Sequence, residues 1–183
     1  YPAYPFCYIF KSMETKKDLR KKAKEIRKNL DIKTISKIIV EKIENHKFFK
    51  NSNNIMLFYP LENEIDLLNL IENHPEKNFY LPRTLNAEME ACPYKFGDKL
   101  IKGDFNVCVP RTYGINPEIL DLIFVPALMV DKNNYRLGYG KGFYDRFLVK
   151  TNAKTIVPIS KNLIVETLPI EFHDQKVDFI ITE

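Results

Sequence analysis

Between Arg136 and Leu148 the chain reads RLGYGKGFYDRFL, which packs glycines, cations, aromatics and one carboxylate into a turn and the start of a helix. Gly138, Gly140 and Gly142 alternate with Tyr139 and Lys141. Glycine at every second position lets the backbone take positive φ and approach a ligand closely. Its N–H groups can then turn inward around an anion. From Phe143 onward, Phe143, Phe147 and Leu148 form an apolar stripe while Arg146 points elsewhere. This pattern sets the cradle at a helix N-terminus, where the macrodipole favours phosphate. Arg136 offers a bidentate grip on phosphate oxygens and Lys141 a mobile point charge. Asp145 would repel such a ligand unless a metal lies between them, and Mg²⁺ shared by carboxylate and phosphate oxygens resolves that conflict.

The plainer alternative is a tight strand-to-helix turn with solvated charges. Two familiar phosphate motifs fail on spacing. A P-loop requires Ser or Thr after its GK pair, and here Phe143 follows Gly142. A dinucleotide-binding fingerprint places its third glycine three residues after the second, and here the interval is two.

The elements that must position this stretch read as an α/β chain. With 183 residues, 45% of them hydrophobic, it can bury a substantial core. A single domain is expected over 13–183, with 1–12 an extension (tag, presequence or arm) left out of the fold. A helix is expected from Thr15 to Leu30, with Leu19, Ala23, Ile26 and Leu30 on its inner face and Lys16, Arg20, Lys24 and Arg27 along one flank. A second helix spans Lys33 to His46, with Ile35, Ile38, Ile39 and Ile43 facing the core. Strands are expected at Ile55–Pro60, Asn78–Arg83, Lys154–Ser160 and Val177–Thr182, a short helix over Asp66–Ile71, and an edge strand over Glu88–Tyr94, which contains Pro93. Residues 98–116 read as loop-rich, with no strand assigned. Asp121–Asp131 reads as the strongest strand, a continuous apolar run suited to the centre of a parallel sheet. Helices alternating with strands imply a three-layer αβα domain with a mostly parallel sheet. Ligands in such sheets bind beyond the carboxyl ends of the strands, where Arg136 to Asp145 would lie.

Charge and cysteine usage narrow the class. The formal net charge is +4, and between Glu14 and Lys33 nine basic residues face four acidic ones, so the basicity is local. Cys7, Cys92 and Cys108 are odd in number and far apart, which favours reduced thiols in an intracellular compartment. His46, His74 and His173 are too scattered for a zinc set. No apolar run approaches a membrane span.

The stretch RLGYGKGFYDRFL closely resembles the signature RLGxGxGxYDxxL of the 5-formyltetrahydrofolate cyclo-ligase family. Further elements follow in the family's order: Lys16, Leu19 and Arg20 match KxxLR with Arg27 seven residues on, LPR ends at Arg83, and HDQKVDFIITE closes the chain. NVCVPR departs from the family's usual Gly-Ile-x-Glu-Pro sequence, since Val109 replaces the acidic residue, and no chemistry is assigned there. Asn134 stands where the family generally has glycine, a harmless change because Asn tolerates the left-handed conformation.

The resemblance implies the fold shared by sugar-phosphate isomerases and CoA transferases, and ATP- and Mg²⁺-dependent closure of 5-formyltetrahydrofolate to its 5,10-methenyl form. In that scheme the formyl oxygen takes the γ-phosphoryl group, N10 attacks, and ADP and phosphate are released. It further implies that Arg136, Lys141 and Asp145 carry the chemistry and that Asp145 and Asp174 hold the metal. Lys16, Arg20 and the loop Arg136, Leu137, Gly138, Tyr139, Gly140, Lys141, Gly142, Phe143 and Tyr144 would bind ATP. Tyr59 and Glu64 would meet the folate, with Arg20, Tyr139, Gly140, Lys141, Gly142 and Phe143 beside them. Glu64 alone would otherwise read as a carboxylate in a helix first turn, and Arg83 either faces the substrate's acidic tail or sits on the rim. The partner is then a small molecule, with neither nucleic acid nor membrane, and the chain a cytoplasmic or mitochondrial monomer. The other classes open to the sequence are a phosphate or nucleotide sensor on the same fold without catalysis, a nucleic-acid binder using the basic first helix, and, by analogy of fold alone, a sugar-phosphate isomerase.

Overall fold

A computed structural model describes residues 14–183; the 1–12 extension and Met13 lie outside the described residues. The chain opens with helices α1 (Lys16–Lys28), α2 (Ile32–Asn45) and α3 (Lys47–Asn51), then strand β1 (Asn54–Met56) and helix α4 (Asn69–Asn73). Strands β2 (Asn78–Leu85), β3 (Glu88–Tyr94), β4 (Leu100–Lys102), β5 (Cys108–Pro110), β6 (Leu122–Phe124), β7 (Met129–Asp131) and β8 (Arg136–Leu137) follow. Helix α5 (Phe143–Leu148), β9 (Lys154–Pro158), β10 (Ile164–Val165) and β11 (Phe179–Ile181) complete it.

Six strands form the main sheet in the order β11, β9, β6, β1, β2, β3. All neighbours are parallel except β3, which runs antiparallel to β2 at the edge. Side chains alternate between two cores, as the period of a strand requires. Ile55, Leu57, Leu122, Phe124 and Ile156 face a core shared with α2, α3 and α4. Met56, Ile123 and Val157 face one shared with α1 and α5. Helices thus cover both faces, giving the three layers.

Helix α1 starts at Thr15, whose side chain accepts from the Asp18 N–H while Asp18 answers to the Thr15 backbone, a capping box that sets where the first turn begins. The pair Leu19 and Ala23 is buried, whereas Lys24 stays in solvent.

Four expectations need correction. Asp121–Asp131 is two strands, because Pro126 lacks the N–H that a continuing ladder requires. β6 stays in the parallel sheet, while β7 leaves it to pair with β8 and β10. The second helix has close to its expected bounds, with His46 going on to cap α3, but Ile38 is 36% exposed rather than in the core. The expected loop 98–116 contains the hairpin of β4 and β5. The Asp66–Ile71 helix begins only at Asn69, so Glu64 is not in its first turn. Asn134, in contrast, does take the left-handed conformation, with φ of 67°.

Asp131 at the end of β7 anchors this departure from the sheet. It is 1% exposed, and its oxygens accept the N–H groups of Asn133 and Tyr135 (both 2.9 Å) and Leu168 (3.0 Å). The turn that starts the glycine loop and the strap after β10 are thereby tied to one carboxylate.

Candidate active site

A cavity of about 800 Å³ opens where α1, the end of β1, the β4–β5 hairpin and the glycine loop meet. Every site residue expected from the sequence, from Lys16 and Arg20 through Tyr59 and Glu64 to Asp145 and Asp174, borders it.

On the loop, Arg136 is 8% exposed and its Nη1 donates to Asp145 Oδ1 at 3.0 Å. The Gln175 N–H, next in sequence to Asp174, donates to the same oxygen at 3.1 Å. Arg20 reaches over from α1, its Nε donating to the Gly138 carbonyl at 2.9 Å. Gly140 has φ of +93°, and a Cβ there would lie 3.1 Å from the Arg20 guanidinium carbon. The backbone conformation there favours glycine, and a side chain would press the Arg20 guanidinium away. α5 is only six residues long, so helix-end dipoles add little and the discrete charges dominate. Phe147 is its buried anchor, and Arg146 lies over the Phe143 ring.

Lys16 pairs with Asp174 at 2.7 Å and with Glu171 at 3.3 Å. Burial alone would raise the Asp174 carboxyl, but the Lys16 ammonium and the Glu171 N–H outweigh it and hold the group below its ordinary range. Donor atoms of Glu171, His173 and Asp174 lie within 4.8 Å of one another. Asp145 is not part of that cluster, although the Gln175 contact places it beside the same segment. Asp145 Oδ2 accepts no hydrogen bond among the described residues, and Asp174 keeps Oδ1 clear of Lys16. Carboxylate oxygens left open in this way suit a hard cation such as Mg²⁺.

On another wall Glu64 is 5% exposed and accepts the Tyr139 hydroxyl at 2.6 Å and the Leu61 N–H at 2.8 Å. Burial and the neighbouring Glu64 charge push the Tyr139 hydroxyl far up, so it stays a donor. The residue as a whole nevertheless remains 38% exposed. Burial does the same to the Tyr144 hydroxyl.

The family model for the 5-formyltetrahydrofolate cyclo-ligase family matches residues 12–183. The chain belongs to that family. Membership makes it a carbon–nitrogen ring-closing ligase of folate one-carbon metabolism. It is 27% identical over 166 residues to the 5-formyltetrahydrofolate cyclo-ligase of Mus musculus, covering 81% of this chain and 82% of that one. Over 88 residues it is 39% identical to the 5-formyltetrahydrofolate cyclo-ligase of Mycolicibacterium smegmatis, 45% of each chain. The solved structure of Aquifex aeolicus 5,10-methenyltetrahydrofolate synthetase superposes with a TM-score of 0.82 at 30% identity, covering 91% of this chain and 88% of that one.

Two cavity-lining features of this cyclo-ligase were not legible in its sequence. The β4–β5 hairpin brings Phe105 to the cavity at a φ of 57°, a conformation that costs a residue with a Cβ. Its ring packs edge-on to Phe143 at 6.1 Å and under the Lys141 ammonium at 5.6 Å. Glu171 and His173 also border the cavity, through a turn whose sequence reads only as polar. Arg83 is resolved the other way. It pairs with Glu90 across β2 and β3 at 2.8 Å, and it does not border the cavity although Pro82 and Thr84 do. Among the described residues no helix is long and apolar enough to cross a membrane.

Proposed function

We propose that this cyclo-ligase closes 5-formyltetrahydrofolate to 5,10-methenyltetrahydrofolate at the expense of ATP, with Mg²⁺ bound by Asp145 and Asp174. The observation that carries the reading is one cavity bordered both by the charged set Lys16, Arg20, Arg136, Lys141, Asp145 and Asp174 and by the Glu64–Tyr139 pair. An amide-like formyl oxygen is a poor leaving group, so ring closure by N10 needs that oxygen activated first. ATP supplies the phosphoryl group that makes it leave as phosphate, and Mg²⁺ neutralises charge on the phosphates.

The chain's own part is positioning and charge stabilisation. Arg20 is fixed through the Gly138 carbonyl, which leaves its terminal nitrogens over the loop for phosphate oxygens. The exposed Lys141 offers the same phosphates a mobile point charge. Arg136, buried against Asp145, orients that carboxylate with its free oxygen available. Tyr139 and Phe143 offer ring surface to the folate, and Glu64 and Tyr59 meet its polar pterin end. In this reading the chain is a cytoplasmic monomer.

Near-ultraviolet absorbance tests the proposal, because the conjugated methenyl product absorbs there and the formyl substrate does not. The band is expected only with protein, folate, ATP and Mg²⁺ all present. A flat trace from folded protein that still binds ATP would instead support a non-catalytic nucleotide sensor. Gly140→Ala gives a narrower check. Its Cβ would meet the Arg20 guanidinium on backbone already unfavourable for an L residue by about 1–2 kcal/mol. The KM for ATP should rise by roughly tenfold or more; unchanged nucleotide kinetics would separate Arg20 from the phosphates.

A further inference from the structure

Leu19, Ala23 and Arg27 follow one another at intervals of four, so they share the inward side of α1. Arg27 is thus an arginine on an apolar stripe, and it is only 7% exposed. A buried guanidinium must find acceptors. Its Nη2 donates to the Ala127 carbonyl in the segment linking β6 and β7. Its Nη1 donates to the Tyr139 hydroxyl at 2.9 Å and lies 3.6 Å from Glu64 Oε1. The Tyr139 hydroxyl in turn donates to Glu64 Oε1 at 2.6 Å. The chain of donation therefore has one direction, from guanidinium to hydroxyl to carboxylate. Arg27 does not border the cavity, whereas Tyr139 and Glu64 do.

From this geometry we propose that Arg27 is a positioning residue for folate, acting only through the Tyr139 hydroxyl and the Glu64 carboxylate. The inference rests on the reading of those two residues as folate contacts. By donating to the hydroxyl oxygen, Arg27 commits the hydroxyl proton to Glu64 and fixes the plane of the ring that faces the cavity. The same contact supplies the cation within 4.0 Å of a carboxylate that is otherwise buried among the described residues. The Ala127 carbonyl holds the guanidinium from behind, so the three side chains cannot move independently. α1 then serves both ligands from different positions: Lys16 and Arg20 from its first turns toward phosphate, and Arg27 from its last toward folate.

A double-mutant cycle with Arg27→Gln and Tyr139→Phe tests this. Each single variant is expected to raise the KM for 5-formyltetrahydrofolate by about tenfold, the scale of one lost hydrogen bond in a charged network. The KM for ATP should stay within about twofold, and the loss in the double variant should fall well short of the product of the two single losses, because without the hydroxyl Arg27 keeps only its contact with Glu64. Losses that multiply would overturn the proposal, as would equal rises in both KM values accompanied by a lower unfolding temperature, which is what a purely structural arginine would produce. Should Arg27→Gln fail to fold, Arg27→Lys enters the same cycle. It keeps the charge but not the fork that reaches Ala127 and Tyr139 together, and it must show the same non-additivity. A wild-type chain that forms no methenyl product overturns the folate reading itself, whereas product formed with multiplicative losses overturns only the role of Arg27.

Discussion

Asp145→Ala is expected to lower turnover of 5-formyltetrahydrofolate by about 10²–10³-fold, the scale of removing one preorganised electrostatic contact from a reacting site. Two effects combine in that loss. The open oxygen proposed to hold Mg²⁺ disappears, and the Arg136 guanidinium, 3% exposed at its side chain, is left without its carboxylate. Removing one partner of a buried pair is costly because the other charge stays buried. Asp145→Asn separates the two. Its amide oxygen can still accept from Arg136 and the Gln175 N–H, but it is a neutral and weaker metal ligand. If metal binding is the main role, the asparagine variant should be nearly as inactive as alanine while unfolding close to the wild-type temperature, and raised Mg²⁺ should restore part of its rate. An asparagine variant with full activity at ordinary Mg²⁺ would remove Asp145 from the metal site.

The second large effect lies away from the cavity. Asp131→Ala strips the common acceptor from three backbone N–H groups, those of Asn133, Tyr135 and Leu168, all held by a carboxylate that is 1% exposed. Hydrogen bonds to a charged acceptor contribute about 1.5–3 kcal/mol each and are not fully additive, so a loss of about 3–5 kcal/mol in stability is expected. In a chain of this size that corresponds to roughly 10 °C in unfolding temperature. Urea unfolding provides the measurement. A change below about 1 kcal/mol would mean that the turn before Arg136 and the strap at Leu168 hold without their shared anchor.

The local grammar of the elements was legible because it depends on neighbours three or four residues apart. Leu19 and Ala23 mark the inner side of α1, which was expected from Thr15 and begins at Lys16. Asn134 was readable as a left-handed position because the family generally has glycine there and Asn tolerates that conformation. The run from Asp121 to Asp131 misled because hydrophobicity reports burial, and both halves are buried. Only the missing donor of Pro126 separates a strand of the main sheet from one that leaves it. Arg27 was grouped with Lys16, Arg20 and Lys24 as one cationic flank, and packing distinguished them. Lys24 meets solvent, while Arg27 lies in the core.

By itself the sequence determined the residue types of the candidate site, a glycine loop carrying Arg136, Lys141 and Asp145 and a helix carrying Lys16 and Arg20, and the family to which their order belongs. Those features are short-range in the chain, so composition and spacing express them. The tertiary structure alone decided which groups meet. It set Arg27 against Tyr139 from 112 residues away and Lys16 against Asp174 from 158, and it turned the Phe105 ring under the Lys141 ammonium. Contacts at such separations are selected by the packing of two cores against one sheet, and no local pattern of residues encodes them.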